Sequence, residues 1–117
     1  MTREVSYWVS LSYPDGVLAS VPPFSEGGTY ALGGNDEATL NVTYNYSEVF
    51  KLLDFRLKDL HEKQAADTVD ILSGLVAKLG THVYTDYWAP TPGNAGHALN
   101  VLLGWAVQHP QAVWMVE

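Results

Sequence analysis

The side chains able to do chemistry in this chain are its four histidines, a set of carboxylates and a dense run of aromatics. His82 and Asp86 lie four apart with Tyr84 between them. That spacing suits an imidazole oriented by a carboxylate, as a general base or as part of a metal site. His97 becomes a third member if the intervening loop folds over the helix start that follows. Against this, His61, His82, His97 and His109 match no ligand spacing, with no HExxH and no histidine pair one helical turn apart. Nucleophilic catalysis has no support, since the chain has no cysteine and no G-x-S-x-G elbow. The carboxylate pairs Asp67 with Asp70 and Asp36 with Glu37 fall where solvated surface is expected. The residue types therefore favour binding over catalysis, with no catalytic residue, metal or cofactor assigned. Hydrolysis by His82, Asp86 and His97 stands behind the two binding readings below.

The stretch from Tyr84 to Pro110 joins an aromatic loop to the best-marked helix. Pro92 suits a first helical position, where its missing N–H is no loss, and Thr91 before it can accept from an early amide. Asn94 is the competing cap. Ala95, Ala98, Leu99, Leu102, Leu103 and Ala106 then recur at helical intervals, and His109 with Pro110 ends the run. The first turn offers backbone N–H groups at the positive end of a helix dipole, with Gly93 and Gly96 leaving room for close approach. No Lys or Arg lies between Thr81 and Glu117, so amides, hydroxyls and His97 would have to hold an anion.

The candidate ligand site is Thr43, Asn45, Tyr87, Trp88, Thr91, Gly93, Asn94, Gly96 and His97. Thr43 and Asn45 come from the polar face of a strand, and Tyr87 or Trp88 would stack on a small anionic or nucleotide-like ligand. The alternative is that the 84–97 aromatic loop contacts a host protein. Beside both stands the plain reading, in which the turn is ordinary and Gly96 lets the helix pack tightly on a neighbour.

The elements that must position these residues can be read in order. Val5–Tyr13 alternates as a strand, Pro14, Asp15 and Gly16 form a turn, and Val17–Val21 is a partner strand stopped by Pro22 and Pro23. Paired glycines bracket a short apolar piece at Thr29–Leu32. Ala38–Tyr46 alternates strictly, with Ala38, Leu40, Val42, Tyr44 and Tyr46 on its apolar face. Helices are expected near Ser47–Asp54, with Ser47 as cap, near Glu62–Leu79, closed by Gly80, and near Asn94–His109. Val113–Val116 closes the chain as a strand. The expectation is one α+β domain over residues 1–117, an antiparallel β-sheet of four to five strands covered on one face by about three helices.

A chain of 117 residues with 47% hydrophobic content supports one real core. Its net charge of −7 argues against duplex nucleic acid or an anionic membrane as partner. Lys51, Arg56, Lys58 and Lys63 do cluster, but Asp54, Asp59 and Glu62 among them point to a salt-bridged, solvated face. No run approaches the length of a membrane span, and the absence of cysteine fits a cytoplasmic setting. So aromatic a small domain also suits a homodimer.

Residues 38–117 resemble small uncharacterised proteins encoded by bacteriophages and prophages. The likeness rests on Thr43, Tyr44, Asn45, Tyr46 and Ser47 at the strand-to-helix junction, on Asn94 and Leu99 in the last helix, and on His109, Pro110 and Val113. It implies an accessory role, such as counter-defence, acting in the host cell cytoplasm by binding a host protein or a host signal. It brings no catalytic residues with it.

Overall fold

The computed structural model describes residues 6–24, 35–43, 46–82 and 91–116. In chain order the elements are strands β1 (Ser6–Ser12), β2 (Ser20–Phe24), β3 (Asn35–Glu37) and β4 (Thr39–Thr43), helix α1 (Ser47–Leu52), 3-10 turns at Leu57–Leu60 and Ala65–Thr68, helices α2 (Val69–Leu79) and α3 (Pro92–Gln108), and strand β5 (Val113–Val116). The fold is α+β.

β1 is the shared strand. It pairs antiparallel with β4, Ser6 opposite Thr43 and Ser10 opposite Thr39, and on its other side with β5, Val9 opposite Val116 and Ser12 opposite Val113. Its alternation buries Val9 and Leu11 completely and leaves Trp8 exposed on the other face. Gly16 takes a left-handed conformation, φ 89°, in the turn that follows, and its N–H donates to the Tyr13 carbonyl at 2.8 Å. Asp15 steadies the turn by accepting from the Val17 N–H.

The described strands form a three-stranded sheet, order β4-β1-β5, and a separate two-stranded ribbon, β2-β3, where the sequence suggested one sheet of four or five. Three backbone hydrogen bonds join the two: Leu11 N–H to the Ala38 carbonyl (2.9 Å), Ala38 N–H to the Ala19 carbonyl (3.0 Å), and Ala19 N–H to the Leu11 carbonyl (2.9 Å). β1 thus divides its pairing at Leu11, and the chain splits into two sheets there. β2 also runs through Pro22 and Pro23, which were expected to stop it. It can do so because its pairing with β3 rests on Ser20 opposite Glu37 and Phe24 opposite Asn35, with an irregularity between, so no ladder bond is demanded of the prolines. The Thr29–Leu32 strand lies outside the described residues.

α3 begins at Pro92 with Thr91 as its cap, the Thr91 hydroxyl accepting from the Asn94 N–H at 3.1 Å, so Asn94 is the third helical residue and not the cap. α1 is capped at Tyr46, with no side-chain bond, and stops at Leu52. The helix expected from Glu62 starts later. Residues 62–65 instead line the outer edge of β5: Glu62 N–H donates to the Trp114 carbonyl, Trp114 N–H to the Lys63 carbonyl, and Ala65 N–H to the Ala112 carbonyl. His61 adds its Nδ1 as acceptor for the Val116 N–H at 3.0 Å. An edge strand needs partners for its outward amides, and that demand overrides helix propensity here. Gly80 closes α2 in a positive-φ conformation as expected.

The inward strand residues share one core with α1, α2 and α3. Within it lies a polar relay. Trp114 Nε1–H donates to Thr68 Oγ1 at 2.8 Å, and Thr68 Oγ1–H donates to the Ala65 carbonyl at 2.8 Å, with both side chains fully buried. A second bridge holds the β1–β2 hairpin to the end of α3. His109 Nε2 meets the Ser20 carbonyl at 2.7 Å and must donate to it, which leaves Nδ1 of the neutral ring to accept from the Tyr13 hydroxyl at 2.7 Å. No helix among the described residues is long and apolar enough to cross a membrane.

Replacing Thr68 by Val keeps the shape but leaves the Trp114 N–H without an acceptor. The expected loss is about 1–3 kcal/mol in a chemical melt. Thr68→Ser, which keeps the hydroxyl, should recover the part of that loss that belongs to the hydrogen bond. Equal losses in the two variants would assign the effect to packing.

Candidate functional site

The start of α3 is built as its residue types suggest, yet the face that carries Gly93 and Gly96 is occupied. Gly93, Asn94 and Gly96 are buried, and Thr91 and His97 are half-buried. A Cβ added at Gly93 would collide with the His82 carbonyl, and one at Gly96 with the Gly80 carbonyl. The chain leaving α2 therefore lies directly on the first turn of α3, and these glycines are where backbone meets backbone. Carbonyl dipoles flanking the positive end of a helix are favourable neighbours. The tight-packing role weighed for Gly96 is thus present in the structure.

Asn45, Tyr87 and Trp88 lie outside the described residues, as do Tyr84 and Asp86. Thr43 ends β4, opposite Ser6. His82 is exposed and its carbonyl lies against Gly93, so residues 80–82 pass along the helix start, while residues 83–90 of that loop lie outside the described residues. Among the described residues no group of three or more His, Asp or Glu could hold a metal ion.

A different concavity lies between α1 and the segment that returns along it. Asp54 adopts a left-handed conformation, φ 57°, just past the end of α1, and reverses the chain. Phe55 N–H then reaches back to the Phe50 carbonyl at 3.1 Å, and the two rings meet edge to face with centroids 5.5 Å apart. Tyr46 packs on Phe50 in the same manner at 6.3 Å. Arg56 is extended, and the Asp59 carboxylate accepts from its backbone N–H at 3.1 Å, capping the turn at Leu57–Leu60. The alternation in 55–58 sends Phe55 and Leu57 inward and Arg56 and Lys58 outward.

The result is a cleft of about 270 Å³ with Phe50, Phe55 and Leu57 in its lining and Lys51, Arg56 and Lys58 among its polar groups. Three of the six Lys and Arg residues thus gather at one depression in a chain of net charge −7. Glu48 lies 3.6 Å from Lys51, and Asp59 lies 3.4 Å from Arg56. Both pairs are exposed and span one helical turn. Such pairs contribute only about 0–1 kcal/mol, so a ligand anion can displace them at little cost. Of the four cations expected on a salt-bridged face, Lys51 and Arg56 are paired, and Lys58 and Lys63 have no ion pair among the described residues.

The sequence reading missed this cleft, although the period-two pattern of Phe55, Arg56, Leu57 and Lys58 was its signal. An apolar residue alternating with a cation makes a basic rim over an apolar floor once the chain lies against a helix.

Gly96→Ala should destabilise the fold by about 1–3 kcal/mol, because the methyl meets backbone that cannot rotate away. Gly104→Ala, in the same helix with open space at its Cβ, should stabilise by about 0.5–1 kcal/mol. Denaturant melts of the two variants check both signs.

Comparison of the chain with protein-family models, with curated proteins and with solved structures found no match.

Proposed function

We propose that the protein is a non-catalytic binding module for a small anionic ligand with an apolar or planar body, nucleotide-like ligands included, and that the ligand sits in the cleft between α1 and residues 55–58. One observation carries this reading: Lys51, Arg56 and Lys58 converge over Phe50, Phe55 and Leu57 in an otherwise acidic chain. The cations recruit an anionic head against the net field, and the apolar floor takes the body. Arg56 offers a planar fork that suits carboxylate or phosphate, and Lys58 supplies a mobile point charge. In the accessory role implied by the likeness to phage-encoded proteins, the ligand is a molecule of the host.

The reading does not need the start of α3. There Gly93 and Gly96 are spent on the carbonyls of His82 and Gly80, and no fixed cation lies in that part of the sequence.

An NMR titration with benzoate, phenyl phosphate and AMP tests the proposal. At least one should give saturable amide shifts confined to residues 47–51 and 55–58, weakening as salt is raised. Lys58→Glu should reduce that affinity by roughly fivefold or more, since it replaces an attraction by a repulsion. Saturable shifts centred on 91–97 would return the site to the helix start, and no saturable shift with any of the three would overturn the proposal.

A further inference from the structure

The cleft does not end at its rim. A second depression shares Lys51, Phe55 and Arg56 with it and adds Asp54 and Asp59. A third takes up Asp54, Phe55 and Asp59 and carries them to α2, where Asp70, Ile71 and Gly74 line it. Phe55 lines all three. The surface is therefore one track from α1, over the reversal at Asp54, to the outer face of α2.

Its charges change sign along the way. Lys51, Arg56 and Lys58 outnumber Glu48 at one end, whereas Asp54, Asp59 and Asp70 outnumber Lys78 in the depression at the other. Of the far carboxylates, Asp54 and Asp70 have no ion pair among the described residues. Ile71 is 48% exposed beside Gly74, and nothing lies within 4 Å of the position a Cβ would take there. That combination is an apolar shelf between charged stations. A small acid would use the basic end alone and leave the rest of the track bare.

Resting on the reading that the basic cleft takes an anion, we propose that the anion belongs to a polypeptide, an extended segment laid along this track. Its acidic residue occupies the Lys51, Arg56 and Lys58 end, an apolar side chain covers Ile71 and Gly74, and a basic residue faces Asp54 and Asp70. Complementary charge fixes which end lies where, and the apolar shelf supplies contact area. A segment of about seven extended residues reaches roughly 23 Å. That suits a molecule whose principal extents are 35 × 34 × 32 Å.

The test uses the full chain and a fluorescein-labelled peptide of about seven residues, two Glu at one end, Leu and Ile in the middle and two Lys at the other, with both termini blocked. Benzoate serves as the small-anion control. Anisotropy titrations should show the peptide binding more tightly than benzoate, which is measured by competition. Lys58→Glu should weaken both. Asp70→Lys should weaken the peptide roughly two- to fivefold and leave benzoate unchanged, and a peptide with its two Lys replaced by Glu should recover affinity for the Asp70→Lys protein. Asp70→Asn, with a thermal melt of each variant, guards against a folding defect. Benzoate binding that depends on Lys58, with peptide affinity no tighter or indifferent to residue 70, overturns the polypeptide assignment and leaves the anion cleft standing. Failure of the peptide to bind overturns the polypeptide assignment, and the anion cleft falls with it only if benzoate, phenyl phosphate and AMP all fail to bind.

Discussion

The ring of three backbone hydrogen bonds among Leu11, Ala19 and Ala38 is the constraint from which the rest of the architecture follows. It involves no side chain, and it needs three strands to meet almost at a point. Ala19 and Ala38 are fully buried, and a methyl is the only side chain they bring to that meeting. Because Leu11 gives its N–H to Ala38 and its carbonyl to Ala19, β1 can serve the sheet and the ribbon at once. The sheet then presents Val9, Leu11, Leu40 and Trp114 inward as one surface for the helices to cover. Without this junction the ribbon would be tied to β1 by the hairpin turn, the bridge of Ser12 with Leu18 and the Tyr13–His109–Ser20 contacts.

The helical side is organised by a second economy of polar groups. Trp114 brings a large ring into the core together with an N–H that must be satisfied, and Thr68 satisfies it while returning its own proton to Ala65. This locks the start of α2 to β5. The cleft depends on a more local tie, because its return segment is held to α1 by the Phe55 N–H on the Phe50 carbonyl and capped by Asp59 on the Arg56 N–H. Site and core are linked through Leu57 and Leu60, both buried, and through Phe55 on Phe50.

What the sequence disclosed divides along a physical line. Local stereochemistry was legible: the Pro14, Asp15 and Gly16 turn, the Thr91 cap with Pro92 behind it, the stop at His109 and the glycine after α2 all follow from backbone preferences of single residues. The α+β class and the inward faces of β1 and β4 followed from periodicity. Long-range competition was not legible. Nothing in Glu62, Lys63 and Gln64 says that their backbone is claimed by an edge strand some fifty residues later, and nothing in Pro22 and Pro23 says that β3 leaves them unpaired. The same limit applied to the candidate sites. Gly93 read as an opening, and Gly96 as either an opening or a packing seat, because a sequence shows the missing side chain and not the carbonyls of His82 and Gly80 that fill the space. The basic residues at 51–63 read as neutralised because the acids beside them in sequence are visible, whereas the apolar floor that groups Lys51, Arg56 and Lys58 appears only when the chain doubles back at Asp54.

The cover over β5 bears on how this chain can associate with its own copies. Open strand edges are templates that another chain can extend, which is the usual route to runaway aggregation in small β-containing proteins. Here the outward amides of Trp114 and Val116 are already committed to Lys63 and His61, and the outward carbonyl of Trp114 to Glu62. A neighbouring molecule could add a strand at that edge only by first peeling away residues 61–65. Self-association that lengthens the sheet through β5 therefore carries the cost of partial unfolding, and the segment that delayed the start of α2 acts as a built-in guard of solubility.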